Sequence, residues 1–178
     1  TDTKISFLFS SGEPVIITNF YNGVLKLKNK KSKLVGGRFD IKEIKLLAYK
    51  KIITDKAIFK TIGVCVLNNP QAPKKDFKTW YITPYDDLEL FNEILYQRTN
   101  DRFKHITGKM AAHSIKFNLL ENYQLKEVIV KHYNGYIRGF KGVFELEGSP
   151  EILQFVYDYG LGIRTGQGFG LIDLVKTC

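Results

Sequence analysis

A glycine-rich stretch near the C-terminus constrains the fold of this chain more than any other feature. Residues 160–170 contain five of the fifteen glycines, and glycine is favoured where φ is positive or where the main chain approaches another group closely. Residues 149–159 precede the stretch, and a Ser cap, an early Pro and apolar residues at helical spacing predict a short amphipathic helix there. Residues 171–175 are apolar and β-branched and predict a final strand. The expected unit is a helix, a glycine-rich loop and a strand.

Composition limits the class of protein and of partner. The 178 residues, 44% of them hydrophobic, suffice for one large domain or two small ones. Lysine and arginine number 27 against 18 acidic residues, and this excess favours a polyanionic partner, usually nucleic acid. Two cysteines are too few for a disulfide framework or a four-ligand zinc site, which indicates a reducing cytoplasm. No apolar run approaches the roughly 20 residues of a membrane span, and no signal peptide opens the chain, so no membrane partner is expected.

The middle of the chain predicts a strand followed by a capped helix. Residues 57–67 form a β-branched run that is typical of a central strand. Asp86 and Asp87 precede apolar residues that recur with a period of 3.6, which predicts a helix to about residue 102. We interpret the two aspartates as helix-capping residues rather than as a catalytic or metal-binding pair.

The next segment predicts a hairpin that completes a known supersecondary unit. Residues 125–130 predict a strand, the Asn134-Gly135 pair indicates a tight turn, and residues 137–147 predict the partner strand. Gly139 and Gly142 within that partner suit a bulge or a close approach by another backbone. With the C-terminal helix and strand, residues 57–176 have the order β-α-β-β-α-β of a ferredoxin-like unit, in which two helices cover one face of four antiparallel strands.

The first 50 residues predict strands at 5–10, 15–20 and 39–48, with a lysine-rich piece between the last two. This order resembles a second copy of the same unit without its first strand and helix. A charged connector after residue 50 marks the boundary, so we predict domains at 1–56 and 57–178. The predicted fold class is α+β, with tandem ferredoxin-like (βαββαβ) domains of which the first is incomplete at its N-terminus.

The C-terminal pattern resembles a family of CRISPR repeat-processing endoribonucleases. Its parts are the hairpin end at 142–148, the helix at 151–159, Gly160-Leu161-Gly162, and Gly166-Gln167-Gly168-Phe169-Gly170. The hallmark of the sixth Cas protein family, within the repeat-associated mysterious protein superfamily, is a loop between the last helix and strand that opens with Gly-Leu-Gly and closes with Gly-Phe-Gly. The order of elements extends the similarity loosely over the chain, with residues 5–10 as the family's Phe-x-Phe-Ser-like strand.

The resemblance implies a CRISPR repeat RNA-binding endoribonuclease that cuts precursor CRISPR RNA once per repeat without a metal or another cofactor. A 2′-hydroxyl attacks the adjacent phosphate and leaves a 2′,3′-cyclic phosphate and a 5′-hydroxyl, which requires a base, an acid and donors facing the phosphorane. Histidine, tyrosine and lysine share those roles in the family. The usual histidine lies on a helix just before the strand that matches residues 5–10. Because this chain opens on Thr1 and its only methionine is Met110, we expect further residues upstream, and the catalytic histidine among them.

Three histidines lie within the sequence itself. His132 stands beside the predicted hairpin turn, among potential phosphate contacts, and is the candidate catalytic residue of this chain. His105 and His113 lie in a loosely patterned basic segment and are weaker candidates. No carboxylate or histidine motif has metal-ligand spacing, so we expect no metal site.

The predicted RNA-binding residues lie on the glycine-rich loop and on the hairpin. Main-chain amides and Arg164 can hold a phosphate, and the polar residues of the loop favour this interpretation over a crossover that only packs on the sheet. Aromatic residues of the hairpin can stack on bases, and its cations suit a phosphate track. The predicted binding residues are Gly160, Gly162, Arg164, Thr165, Gly166, Gln167, Gly168 and Gly170 on the loop, and Lys131, Arg138 and Lys141 on the hairpin.

Two other functions remain open. The same fold can serve a non-catalytic RNA-binding subunit of a CRISPR effector complex, whose partners would include other Cas proteins. A more distant alternative is a ferredoxin-like domain that binds a nucleotide or a protein and is basic for unrelated reasons.

Overall fold

The computed structural model describes residues 4–28, 30, 32–34, 37–109 and 114–178. His113 lies outside the described residues. The chain divides into two compact units, Thr1–Lys50 and Lys51–Cys178, and the predicted domain boundary after residue 56 stays a prediction. None of the described helices is both long and apolar enough to cross a membrane.

The N-terminal unit contains a helix where strands were expected. Helix α1 spans Pro14–Leu27, and strands β1, Ser32–Leu34, and β2, Gly37–Phe39, form a short antiparallel hairpin. The predicted strands at 5–10, 15–20 and 39–48 are therefore wrong, since apart from Phe39 in β2 these residues are helical or irregular.

The apolar period explains why α1 is a helix. The β-branched residues at its start favour a strand over six residues, but Pro14 occupies an early helical position, where its missing N–H costs nothing. The half-buried residues Ile17, Tyr21 and Val24 recur at the spacing of one helical face. Phe9 stacks on Phe20 of the helix at 4.0 Å between ring centroids, so the preceding segment contacts α1 instead of pairing as a strand.

The C-terminal unit is built on a four-stranded antiparallel sheet. In chain order its elements are β3 (Lys56–Thr61), β4 (Leu67–Asn68), α2 (Phe77–Trp80), β5 (Tyr81–Ile82), α3 (Leu88–Thr107), β6 (Ile115–Asn118), β7 (Lys126–His132), β8 (Gly135–Lys141), β9 (Val143–Gly148), α4 (Pro150–Tyr159) and β10 (Ile172–Thr177). The sheet order is β10-β3-β9-β6. Strand β3 is central, as predicted, and the sheet strands with α3 and α4 follow one another as β-α-β-β-α-β.

Helices α3 and α4 begin at the predicted caps. The Asp87 side chain accepts a hydrogen bond from the Leu90 amide, and the Ser149 side chain accepts one from the Ile152 amide. Both helices contribute to one core with the inward residues of the sheet. Aromatic rings dominate the centre of that core, where Phe117 stacks on Phe144 at 4.6 Å.

The predicted hairpin exists, but it is not part of the main sheet. Strands β7 and β8 form a separate two-stranded sheet and are not strands of the four-stranded one, so their predicted place in the ferredoxin-like order is wrong. Strand β6 takes that place, and its four residues are too short a run to stand out in a basic segment. Gly142, at φ +148°, separates β8 from β9, which divides the single strand predicted at 137–147 into one strand of each sheet.

A close backbone approach occurs at Gly139, as predicted. Between β3 and β4 the chain passes alongside β8, where Cys65 and Phe140 each donate an amide to the other's carbonyl at 2.9 Å. A Cβ atom on Gly139 would lie 2.3 Å from the Cys65 carbonyl oxygen. Only glycine therefore permits this contact between the hairpin and the rest of the unit.

We expect Gly139→Ala to lower the free energy of unfolding by about 1–3 kcal/mol, because the added methyl group separates two hydrogen-bonded backbones. Gly135→Ala, on the same strand, is the matched control, since its Cβ would meet nothing nearer than 4.0 Å. Urea denaturation followed by Trp80 fluorescence measures both. Equal midpoints for the two variants would contradict the assigned contact.

Candidate functional site

The glycine-rich loop and the hairpin are joined by the short segment between β3 and β4. While Cys65 bonds to β8, its two neighbours bond to the loop: the Val64 carbonyl accepts from the Gly170 amide and the Val66 carbonyl accepts from the Ile163 amide, each at 2.8 Å. Alternate residues of one segment therefore hold the hairpin on one side and both ends of the loop on the other.

The two ends of the loop are determined by packing. A Cβ atom on Gly162 would lie 2.2 Å from the Val66 carbonyl oxygen, and one on Gly170 would lie 2.3 Å from the Leu161 carbonyl oxygen. Both glycines have φ near +80°, a conformation that side chains disfavour. Gly160 is also enclosed, with Thr165 within 3.0 Å of its Cβ position. Packing alone therefore explains why glycine occupies these three positions.

The middle of the loop, residues 164–168, is different. Gly166 and Gly168 have nothing within 4 Å of their Cβ positions, so another molecule has room to approach the backbone. Arg164, at φ +59°, is exposed and donates a hydrogen bond from Nη1 to Gln167 Oε1 at 3.0 Å. The chain then makes one 3₁₀ turn over Thr165–Gln167. The middle of the loop is thus exposed and polar, and its backbone and Arg164 are accessible to a ligand.

Arg102 holds the start of the loop, and sequence analysis did not identify it. From α3 its guanidinium donates to the Gly162 carbonyl at 3.0 Å and to the Gly160 carbonyl, and it lies 5.2 Å from the Phe155 ring centroid. Burial lowers the pKa of Arg102 to about 10. Its partners lie about 60 residues away in sequence, so no local pattern could indicate the contact.

His132 reaches the loop from the end of β7. The centroid of its ring lies 5.6 Å from that of Phe169, which is buried at the end of the loop, and 4.5 Å from that of Tyr133. The structure thus brings the candidate histidine next to the glycine-rich loop. His105 lies exposed in the last turn of α3, and nothing in the structure associates it with this site.

The three predicted hairpin cations do not form one track. Lys131 is exposed near the turn, opposite Tyr136 in the β7–β8 register. Lys141 pairs with Lys126 at the other end of the hairpin and, by the alternation of side chains, on the opposite face. Arg138 lies between them on the face of Lys131, but only 12% of its side chain is exposed.

Arg138 is surrounded by acceptors of the protein itself. It donates from Nη1 and Nη2 to the two carboxylate oxygens of Asp86 at 2.8 and 2.7 Å, and from Nε and Nη2 to Glu127 Oε2. The hydrogen bond with Asp86 raises the pKa of Arg138 above its usual value. Although partial burial opposes it, hydrogen bonding from Arg138 and Thr83 keeps the pKa of Asp86 below its usual value.

The aromatic residues of the hairpin divide between surface and core. Tyr133 and Tyr136 are 84% and 59% exposed at the turn, whereas Phe140 is buried. The turn itself is centred on Tyr133 and Asn134, one residue before the predicted Asn-Gly pair, because Gly135 already pairs with His132. Two aromatic rings therefore stand at the tip of the hairpin, within reach of a ligand.

The helix-free face of the main sheet has a different character. Cross-strand contacts pair its charges: Lys56 with Glu147 at 3.0 Å and Lys60 with Asp173 at 3.7 Å. Pairing of this kind leaves little excess positive charge for a polyanion. Among the residues that the structure describes, no three His, Cys, Asp or Glu side chains come together to hold a metal ion.

Comparison with known proteins gives a consistent result. Residues 47–174 match the family model for the C-terminal part of CRISPR associated protein Cas6. A CRISPR-associated endoribonuclease-like protein Cas6 of Pyrococcus furiosus is 31% identical over 172 residues, which are 97% of this chain and 68% of that protein.

Solved structures show the same similarity. A Cas6-related protein from Pyrococcus furiosus superimposes with a TM-score of 0.75 at 28% identity. The superimposed region covers 94% of this chain and 66% of the Pyrococcus chain. A RAMP protein described as binding different RNA substrates superimposes with a TM-score of 0.71 at 28% identity. In this case the region covers 94% of this chain and 67% of the RAMP protein. The chain thus spans about two thirds of the length of these relatives.

We expect Gly162→Ala to destabilise the protein by about 1–3 kcal/mol, because its methyl group would collide with the Val66 carbonyl. Gly166→Ala should change the free energy of unfolding by less than about 0.5 kcal/mol, since the position is open and its φ is not positive. Thermal unfolding followed by circular dichroism compares the two. A large loss in Gly166→Ala would show that the middle of the loop is also fixed by packing.

Proposed function

The chain belongs to the Cas6 family of CRISPR-associated proteins, and from this premise we propose that it binds the CRISPR repeat RNA of its host. The observation that carries the proposal is the exposed, polar middle of the glycine-rich loop, held beside the tip of a hairpin that presents a cation and two tyrosines. Phosphate contacts position an RNA strand, and aromatic rings stack on its unpaired bases. Arg164 on the loop and Lys131 on the outer face of the hairpin tip are exposed cations, and neither forms a salt bridge with a described residue.

The reaction that we propose is metal-independent cleavage of the repeat. The 2′-oxygen loses its proton to a base and attacks the adjacent phosphorus, the bond from phosphorus to the 5′-oxygen breaks, and an acid protonates that oxygen. The products are a 2′,3′-cyclic phosphate and a 5′-hydroxyl. His132 is the candidate base within this chain, because it lies against the glycine-rich loop. The family resemblance instead places the catalytic histidine upstream of residue 5.

We also retain the tandem ferredoxin-like arrangement as a proposal. The element order of the C-terminal unit supports it for that unit. For Thr1–Lys50, support is limited to the resemblance, since α1 and the β1–β2 hairpin are only part of such a domain.

A non-catalytic RNA-binding subunit is the second candidate. This candidate is supported by the structural similarity to a RAMP protein that is described as binding different RNA substrates. In that case the same surface would grip guide RNA within an assembly that contains other Cas proteins.

Incubating the intact protein with its host's repeat RNA in EDTA separates the two candidates. The enzyme should cut once per repeat, and mass spectrometry should find the 5′ fragment lighter by one water than the linear phosphate. A repeat with a 2′-deoxy nucleotide at the cleavage site is the control and should stay intact. Tight binding without any cut would support the subunit. His132→Ala should abolish cleavage and preserve binding if His132 is the base.

We expect Arg164→Gln to weaken RNA binding by about tenfold, because one phosphate contact is lost. The plot of the logarithm of the association constant against the logarithm of the salt concentration should become less steep by about one. Lys109→Gln is the matched control, since Lys109 is paired with Glu151 at the opposite end of α4 from the loop. Fluorescence anisotropy at several salt concentrations measures both quantities. An unchanged affinity in Arg164→Gln would show that the loop does not touch the RNA backbone.

A further inference from the structure

Arg138 connects four parts of the C-terminal unit. It projects from β8 and bonds to Glu127 of the paired strand β7, to Asp86 in the turn before α3, and to the backbone carbonyls of Lys78 and Tyr81 at 3.3 and 3.1 Å. The last two carbonyls belong to α2 and β5. One side chain therefore ties the hairpin to three elements outside it.

The guanidinium of Arg138 has no donor left for an external anion. Nε faces Glu127, Nη1 faces Asp86 and two carbonyls, and Nη2 faces both carboxylates. A phosphate that bound Arg138 would have to displace bidentate carboxylate contacts, which are among the strongest hydrogen bonds in proteins. This geometry opposes the predicted role of Arg138 as an RNA ligand.

Asp86 is a fixed anchor for this contact. The Thr83 amide and hydroxyl both donate to Asp86 Oδ2, at 2.8 and 2.9 Å, and the Asp86 amide donates to the Thr83 carbonyl at 3.1 Å. Thr83 is itself 1% exposed. The hydrogen bonds from Thr83 therefore fix the rotamer of Asp86 independently of Arg138.

The tip of the hairpin has fewer restraints than its middle. Lys131, Tyr133 and Tyr136 are all exposed, and on the inner face His132 contacts Phe169. On the outer face Arg138 pairs directly with Ile129, which is itself 56% exposed. Lys131 and Tyr136 pair on this same outer face, two residues along each strand from Ile129 and Arg138, so a displacement of Arg138 would also shift them.

We propose that Arg138 is a positioning residue that latches the hairpin onto Asp86 and so presents Lys131 and the tyrosines to RNA. This inference rests on the proposed RNA binding at this surface, and it concerns the contact that fixes the hairpin in position. Arg138 acts through other residues and does not touch the RNA.

The decisive variants are Asp86→Asn and Arg138→Gln in the intact protein, with the host's repeat RNA, fluorescently labelled, as the probe. Because both break the latch, each should weaken binding on the order of tenfold, and Asp86→Asn should do so although it removes a negative charge. Arg138→Lys should recover little, since an ammonium cannot reproduce the bidentate fork. Glu147→Gln, which breaks the ion pair with Lys56 on the main sheet, is the matched control and should bind as the wild type does.

A direct RNA contact predicts the opposite pattern. Asp86→Asn would then free the guanidinium and leave the affinity unchanged or higher, while Arg138→Gln alone would weaken binding. An unchanged or higher affinity in Asp86→Asn overturns the proposal. Trp80 fluorescence melts ensure that affinities are compared at temperatures where every variant is folded.

A double-mutant cycle separates positioning from general stabilisation. If the latch acts by orienting Lys131, the combined loss in Asp86→Asn with Lys131→Gln should be smaller than the product of the two single losses. Multiplicative losses would mean that Asp86 does not act through Lys131, and the proposal would fall.

Amide hydrogen exchange tests the latch without RNA. Exchange in β7 and β8 should accelerate in Asp86→Asn and not in Glu147→Gln, because the hairpin then opens locally. Unchanged exchange overturns the latch even where RNA binds. Conversely, faster exchange in a protein whose wild type binds no repeat RNA would refute the proposed function and keep the latch as a structural feature.

Discussion

The whole site depends on the backbone of one short segment, residues 64–66. Its carbonyls and amides pair alternately with the hairpin through Cys65 and with the glycine-rich loop through Val64 and Val66. Such pairing needs neighbouring chains to approach within hydrogen-bonding distance, and Gly139 and Gly162 have no room for a Cβ atom there. The glycines are thus required first by the assembly of three backbones, and any contact with RNA is made by the part of the loop that this assembly leaves exposed.

The arginines of this unit have different roles despite equal charge. Arg102 holds two loop carbonyls and Arg138 holds two carboxylates, so both are committed to internal partners. Arg164 is exposed at the middle of the loop, and its side-chain partner among the described residues is the neutral Gln167. A net charge of +9 therefore overstates the positive charge available to a polyanion at this site. In the proposed function, the internal arginines would orient the exposed cations.

Local chemistry was sufficient to predict several elements. The helix caps at Asp87 and Ser149, the existence of a hairpin near residue 134, and the order of helix, glycine-rich loop and final strand were predicted correctly, because each depends on residues close in sequence. Predictions failed where long-range pairing decided the outcome. A four-residue strand such as β6 exists only because β9 lies beside it, and a short β-branched run such as that in α1 is ambiguous until its neighbours are packed.

The sequence by itself determined the family, the helix-loop-strand unit and the excess of positive charge, since motif, capping and composition are properties of neighbouring residues. Tertiary structure alone decided which glycines are required by packing, that β7–β8 stands apart from the main sheet, and that Asp86 binds Arg138 instead of capping α3. The physical reason is that these outcomes depend on how the chain packs on itself, in several cases through residues distant in sequence, such as Arg138 with Asp86 and Gly162 with Val66. Whether a cation meets a carboxylate of its own chain or a phosphate of another molecule is set by those contacts.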